Sequence, residues 1–318
     1  MPRTPRIHDS SLQDGAASAG QGFALQDRLE IAKRLDALGV HEIAAAWPAR
    51  SALERESVRA LAHLGLRARL CVSAGFDPRE VAQCAGLGAR LIDIAVPLAE
   101  PDQAGSAGAK ALLTRLVSLL SQARDLGLEA CVGLEDASRA DPAFLLQLAE
   151  VAARAGAVRL RYADSAGLLD PFATHRVIRG LRSACRLKIE MHASNRLGLA
   201  TANTLAAARA GATHLRASLH GRAQPALDEI VPALQQCYGL ATGIAPEALS
   251  GLRRRLARTA GSRPLPIQVA TQPFAQTAVP GVTPSGSDLP CRFVAIESAR
   301  ADESARARPA RRPRPPCC

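Results

Sequence analysis

Side chains that can bind metals or accept protons stand directly after short apolar runs of this chain. The clearest case is the stretch 187–192, which ends in His192 and is followed by Ser194 and Asn195. Side chains two residues apart on a strand project to the same face, so His192 and Ser194 point together. Imidazole is a common ligand for divalent metals, whereas a neutral hydroxyl is a much poorer one. The pattern therefore predicts half of a paired histidine ligand set.

The elements that position these residues alternate between two periods. Short runs rich in Val, Ile or Leu are bounded by Gly, Asp or Pro, and they predict strands at 5–9, 40–46, 68–73, 90–96, 128–134, 157–163, 187–192 and 213–219. Segments with helical periodicity lie between them, such as 25–38, which Gly39 closes. Eight such units predict an α/β fold of the (β/α)8 TIM-barrel type.

A parallel barrel gathers its chemistry at the C-terminal ends of the strands. The residues that follow the apolar runs are therefore the ones expected to meet in one site. They are Asp9 to Asp14, Trp47, Pro48, Ser73, Pro97, Glu135, Asp136, Asp164, Ser165, His192 to Asn195, and His220.

Composition limits the remaining organisation of the 318 residues. A hydrophobic content of 47% can fill one barrel of about 250 residues, which we place at residues 1–260. Residues 261–318 are rich in Pro and Arg and are expected to be a disordered tail. No apolar run reaches the roughly 18 residues of a membrane span, and the protein is expected to be cytoplasmic.

The net charge of +11 raises the alternative of a nucleic-acid-binding protein. Seven arginines and three acids lie after residue 291, and the other positive charges are dispersed instead of lying on one face. Aromatic residues make up 3% of the chain, too few for platforms on which bases stack. We therefore favour a small-molecule site over a nucleic-acid partner, with the Arg-rich tail as the only support for the latter.

The stretch 189–214 closely resembles the homocitrate synthase and isopropylmalate synthase family. It contains a strand that ends in His192, an alanine-rich helix that Gly211 closes, and the start of another strand. In that family the strand ends His-x-His-Asn-Asp. Here Ser194 stands at the second histidine and Arg196 at the aspartate.

The end of the first strand, residues 7–15, resembles the family signature Asp-x-Thr-Leu-Arg-Asp-Gly. The resemblance implies that Asp14 binds a divalent metal, although a turn residue before Gly15 is the competing interpretation. It also places Gln13 where the family has an arginine that stabilises negative charge as acetyl-CoA is enolised. Loss of one such donor typically lowers the rate about 100- to 1000-fold.

Two later segments resemble the family more completely, in particular its nitrogenase-associated homocitrate synthases. They are residues 132–141 and residues 161–171. The resemblance implies that Glu135 belongs to the catalytic set, and that Arg139, Ser165 and Asn195 bind the 2-oxo acid. An acidic start to the following helix is a second interpretation of Glu135, and both can hold.

The resemblance leaves the rest of the metal site open. Weaker candidates are Ser194, Gln224 and His220. Gln224 lies in a run, 220–224, that is shorter than its family counterpart. His220 follows the eighth strand and could replace the missing imidazole, but a surface or packing histidine is the interpretation that we favour.

By family, the expected reaction is a Claisen-type condensation of acetyl-CoA with 2-oxoglutarate, in which Mg, Mn or Zn polarises the keto group, to give homocitrate for the nitrogenase cofactor. Gln13, Ser194 and the lack of the family's downstream catalytic segment favour a homocitrate synthase-like protein with impaired catalysis. The alternative is an active acyltransferase or aldolase-type enzyme with an altered metal site or 2-oxo acid. A homodimer, or pairing with an intact homologue, would supply missing groups.

Overall fold

The structure, a computed structural model, describes residues 4–13, 23–98, 106–219, 221 and 223–249. Eight parallel strands form a closed barrel in chain order. The strands are β1 (Arg6–Asp9), β2 (Glu42–Ala46), β3 (Arg69–Ala74), β4 (Leu91–Pro97), β5 (Glu129–Glu135), β6 (Arg159–Asp164), β7 (Lys188–Ala193) and β8 (His214–Ala217). Each overlaps the strand expected from the sequence, so the TIM-barrel prediction is confirmed.

A helix follows each strand. The helices are α1 (Leu25–Ala37), α2 (Ala52–Ala62), α3 (Pro78–Gln83), α4 (Ser106–Asp125), α5 (Pro142–Arg154), α6 (Pro171–Ala184), α7 (Ala200–Ala210) and α8 (Leu227–Tyr238). Among the described residues, no helix is both long and apolar enough to cross a membrane. The expected boundary at residue 260 and the tail 261–318 lie outside the described residues.

Three of the helices begin with the same dipeptide, aspartate followed by proline. Asp77, Asp141 and Asp170 each accept a hydrogen bond from a backbone N–H in the first turn, and proline occupies the first helical position. Proline suits that position because its fixed φ is helical and its missing N–H would have had no helical partner. Each cap thus fixes the residue at which a loop of the C-terminal mouth ends and its helix begins.

The strands of the barrel separate apolar from charged side chains by simple alternation. On β6, Leu160 and Tyr162 face the helices and are buried in the main hydrophobic core, while Arg159 and Arg161 alternate with them. Successive side chains of a strand point to opposite faces, so both arginines project into the barrel. Glutamates, histidines and an aspartate on other strands take the same inward positions.

The interior is layered along the barrel axis. Cys71, Leu91 and Cys131 form a small apolar cluster near the N-terminal ends of their strands. At the same depth, Arg159 binds Glu42 (Nη1 to Oε2, 2.6 Å) and Glu190 (Nε to Oε2, 2.9 Å). The next inward residues toward the mouth, Asp93 and Arg161, belong to the candidate site.

Candidate active site at the barrel mouth

A connected set of polar side chains lies under the C-terminal mouth of the barrel. Its central members are Gln13, Asp93, Glu135, Arg161 and Arg216, which we call the mouth network. They come from five different places in the chain, namely the end of the β1 segment and strands β4, β5, β6 and β8. The network joins two residues that sequence analysis assigned to the site, Gln13 and Glu135, through three that it did not.

Arg161 is the hub of the mouth network. Its Nε donates to Asp93 Oδ2 at 2.7 Å and its Nη2 donates to Glu135 Oε1 at 2.7 Å. The guanidinium has room because β5 carries glycine at position 133, where a Cβ would lie 2.8 Å from Arg161 Cζ. Although burial alone would raise the pKa of Glu135, the charges of Arg161 and His192 hold it at about 2. Glu135 is therefore an anion at neutral pH and cannot act as a proton donor.

His192 lies beside Arg161 and is neutral at physiological pH. Burial, then the charges of Arg216 and Arg161, lower the pKa of His192 to about 3. Its Nδ1 lies 3.2 Å from Arg161 Nη1. A guanidinium only donates hydrogen bonds, so this contact assigns Nδ1 as the acceptor and leaves the imidazole proton on Nε2.

The amide group of Gln13 is fully engaged with the protein. Its Nε2 donates to Ser73 Oγ at 2.9 Å and to the Ala46 carbonyl oxygen at 3.2 Å, and its Oε1 accepts from Arg216 Nη2 at 2.8 Å. Gln13 thus links the ends of the β1, β2 and β3 segments to β8. To donate to a substrate, the amide would have to give up one of these contacts.

The loop after β6 presents Ser165 to the mouth network. Ser165 Oγ donates to Glu135 Oε2 at 3.2 Å and accepts from the Asp136 N–H at 3.3 Å. Buried Asp164 holds this loop by accepting from the N–H groups of Leu168 and Leu169 at 3.0 Å each. Asp136 has a left-handed backbone with φ of 52°. Strained residues of this kind concentrate at functional sites.

The remaining residues that sequence analysis named are spread around the mouth. Asn195 bridges two loops, since its Nδ2 donates to the Gly221 carbonyl at 3.3 Å and its Oδ1 accepts from the Ala200 N–H at 3.3 Å. Arg139 is exposed on a short 3-10 turn after β5, and Gln224 is buried in the loop before α8. Ser194 is half-buried beside His192. Asp14 and His220 lie outside the described residues, so both stay predictions.

The divalent metal that the resemblance implies does not fit the described residues near His192. A metal bound through Nε2 would force the imidazole proton onto Nδ1, where it would face the N–H groups of Arg161. A neighbouring cation and Ser194, a poor ligand, make the position still less favourable for a second positive charge. Asp14, the other ligand that the resemblance implies, lies outside the described residues.

A second group of possible ligands lies deeper in the barrel. One ligand atom each from His8, Glu42 and Glu190 lie within 4.8 Å of one another, and all three residues are buried. The carboxylates of Glu42 and Glu190, however, already form ion pairs with Arg159 inside the barrel. A cation here would have to displace a buried guanidinium, so these residues do not fit a metal either.

A cavity of about 640 Å³ opens beside the mouth network. Its wall includes Glu135 and Pro97 at the ends of β5 and β4, and Trp47, Phe76, Leu112 and Arg115 further out. Arg115 lies over the Phe76 ring, with Cζ 5.3 Å from the centroid. Asp77 also lines the cavity, so aromatic, apolar and charged side chains share its wall. A ligand of mixed polarity fits such a cavity.

The sequence motifs did not point to Asp93, Arg161 and Arg216 as residues of the site. The available signal was charge inside otherwise apolar runs, in the patterns Ile-Asp-Ile, Leu-Arg-Tyr and Leu-Arg-Ala. An ionised side chain in the middle of a barrel strand is almost never buried without a partner. Such residues therefore predict an inward ion network, although not which residues pair.

The fold is a (β/α)8 barrel, and its polar side chains cluster at the C-terminal mouth, the position of the active site in enzymes of this fold. A family model described as HMGL-like matches residues 4–245, and the chain belongs to that family. The prediction that the chain is by family an acyltransferase-type synthase, similar to homocitrate and isopropylmalate synthases, is confirmed.

Individual relatives agree with this membership, and a solved structure agrees with the fold. The chain is 36% identical over 262 residues to homocitrate synthase 1 of Nostoc sp., an alignment that covers 80% of this chain and 70% of that protein. It is 33% identical to 2-isopropylmalate synthase 2 of Caldanaerobacter subterraneus, over 82% of this chain and 69% of that protein. Hydroxymethylglutaryl-CoA lyase from Pseudomonas aeruginosa shares the fold, with a TM-score of 0.69 at 18% identity over 83% of this chain and 95% of that one.

Proposed function

We propose that this protein is a homocitrate synthase-like protein that binds a 2-oxo acid at the barrel mouth and whose condensation of acetyl-CoA is impaired. The observation that carries the proposal is the set of hydrogen bonds that Gln13 makes within the protein. Its amide makes three contacts within the protein, which leaves no donor for negative charge on an enolised thioester. The loss of such a donor corresponds to about a 100- to 1000-fold lower rate.

The hydrogen bonds around Glu135 support the proposal that the mouth still binds a ligand. Glu135, Ser165 and Arg161 form one hydrogen-bonded chain at the mouth. The cavity ends at Glu135, and the carboxylate of this residue is held ionised by its neighbours. The pantetheine arm of acetyl-CoA suits the wall formed by Trp47 and Phe76, while the carboxylate of the 2-oxo acid needs a cation of the mouth network and not the anionic Glu135.

The test is release of free CoA by the purified protein with acetyl-CoA, 2-oxoglutarate and Mg²⁺, Mn²⁺ or Zn²⁺. We expect little or no turnover above that of an Asp14→Ala control. Rapid turnover by the unaltered protein that Asp14→Ala abolishes would contradict impairment.

The second candidate is an active acyltransferase or aldolase-type enzyme that uses a different 2-oxo acid. The retained link between Ser165, Glu135 and Arg161 favours it, because these groups would have no partner to position in a protein that binds nothing. Pyruvate and 2-oxoisovalerate in the same CoA assay test this candidate. A homodimer, or pairing with an intact homologue, stays a prediction, to be measured by light scattering with and without the homologue.

A further inference from the structure

Arg216 is a buried guanidinium that lies across the interior of the barrel. It projects inward from β8, and its Nη1 lies 3.4 Å from Asp93 Oδ2 on β4. Strands β4 and β8 stand opposite each other in the closed ring of eight strands. Only 6% of the side chain is exposed. The guanidinium therefore lies inside the barrel beneath the mouth, in contact with Gln13 of the mouth network.

The carboxylates near Arg216 lie closer to other side chains. Asp93 Oδ2 is 2.7 Å from Arg161 Nε, against 3.4 Å from Arg216. Glu190 Oε1 is 3.9 Å from Arg216 but 3.0 Å from His8, and the other oxygen of Glu190 binds Arg159. The shortest contact of Arg216 is instead with a neutral acceptor, Gln13 Oε1, at 2.8 Å. Arg216 has no carboxylate of its own among the described residues.

One donor of Arg216 is left over. Its Nε is buried and has no hydrogen-bond partner among the described residues. Nε and Nη2 form one edge of the planar guanidinium, the edge that binds both oxygens of a carboxylate side by side. Gln13 Oε1 satisfies Nη2 alone. A buried donor without an acceptor is costly, and a ligand oxygen at Nε would remove that cost.

We infer that Arg216 is the anion-binding residue of this site and that it receives a carboxylate of the ligand on its Nε and Nη2 edge, in the place that Gln13 Oε1 partly fills. The inference rests on the proposed function and deepens it, because the ligand class is then a 2-oxo acid bound through its carboxylate. Arg161 does not serve in this way, since Asp93 and Glu135 already neutralise its charge at 2.7 Å each.

The test measures anion binding and not turnover. Oxalate and 2-oxoglutarate are titrated calorimetrically into the full-length protein at constant ionic strength, and thermal unfolding is followed with each anion. We expect both anions to bind and to raise the midpoint of unfolding. Arg216→Gln should weaken binding roughly ten- to a hundredfold, as for loss of a charge-assisted hydrogen bond. Arg216→Lys should keep part of the affinity, because it keeps the charge without the fork.

A second variant makes the test independent of the loss of a large side chain. Gln13→Glu would place a carboxylate of the protein itself against Arg216. It should abolish the response to oxalate, because the new carboxylate would occupy the edge of Arg216 that the ligand needs. Arg154→Gln is the matched control, because Arg154 is an exposed arginine on α5 that pairs with Glu150 at the surface. This control should bind oxalate like the unaltered protein.

The outcomes separate the inference from the proposed function. Binding of 2-oxoglutarate with equal affinity to Arg216→Gln would overturn the inference and leave the proposed function standing. Binding of oxalate that depends on Arg216, without binding of any 2-oxo acid, would overturn the proposed ligand and keep the anion site. If neither anion binds the unaltered protein, the inference is wrong.

Discussion

Replacement of Gly133 by alanine is the sharpest perturbation of the mouth network. Gly133 lies on β5, where the guanidinium of Arg161 crosses the strand. A Cβ at this position would contact Arg161 Nη2 and would lie 2.8 Å from both Arg161 Cζ and Asp93 Oδ1. Real Cβ atoms do not approach other atoms this closely, so the arginine or the strand has to move.

The expected cost follows from what Arg161 must give up. Inserting a methyl group into a packed interior costs about 1–3 kcal/mol. Arg161 cannot withdraw without lengthening its 2.7 Å contacts with Asp93 and Glu135. Of these two partners Asp93 is buried, and breaking a buried ion pair costs about 3–5 kcal/mol. We therefore expect Gly133→Ala to lower the free energy of unfolding by about 3–5 kcal/mol, a large part of the roughly 5–15 kcal/mol of a typical domain.

Urea denaturation followed by circular dichroism measures this change. Gly180→Ala is the matched control, because Gly180 lies within α6 and a Cβ there would meet no atom within 4 Å. The control should be unchanged or more stable by up to about 1 kcal/mol, as for glycine to alanine inside a helix. A change of less than about 0.5 kcal/mol in Gly133→Ala would refute the reasoning, because it would mean that Arg161 is free to leave its partners.

Other expectations follow from the same site. The pKa values of His192 and His214 are lowered from 6.5 to about 3, so the unfolded chain binds more protons than the folded chain between these pH values. The free energy of unfolding should therefore fall as pH drops from 6.5 toward 3. His214→Gln should reduce this slope in urea titrations. The pKa of Glu135 falls from 4.5 to about 2, so its stabilisation should be present above 4.5 and be lost as pH falls through 2, and Glu135→Gln should remove that component. Asp136→Gly should leave stability unchanged or raise it by up to about 1 kcal/mol by thermal unfolding, because glycine adopts a φ of 52° without strain, whereas Asp136→Val should lower it.

The barrel was predictable because its signal is local. Apolar runs such as 90–96 and 187–192 have the length of a strand, and the segments between them carry helical periodicity and capping residues. Each strand needs only its own sequence and its neighbours in chain order to take its place, since the connections in this fold are sequential. The rule that chemistry lies at the C-terminal ends of strands then brought Gln13, Glu135 and Ser165 to one mouth without knowledge of any contact.

The pairings inside the barrel were not predictable for a physical reason. Asp93 and Arg216 lie 123 residues apart and on opposite strands, and their contact depends on the stagger of the strands and on side-chain rotamers. Alternation shows that an arginine points inward but not which carboxylate it reaches. The sequence therefore indicated that Gln13 lacks the charge of an arginine, but it gave no sign that Arg216 lies against its amide.

Gln13 and Arg216 are best understood together, because their side chains are in contact. An arginine at position 13 would bring a guanidinium to within hydrogen-bond distance of Arg216, in an interior where like charges repel strongly. A glutamine avoids this repulsion and offers its carbonyl oxygen to the guanidinium. Arg216 therefore favours a neutral residue at position 13. Its own guanidinium supplies a positive charge next to the Gln13 amide. The positive charge that sequence analysis counted as lost is, on this argument, present a few ångströms away on β8, where it suits the binding of an anion more than the transient stabilisation of an enolate.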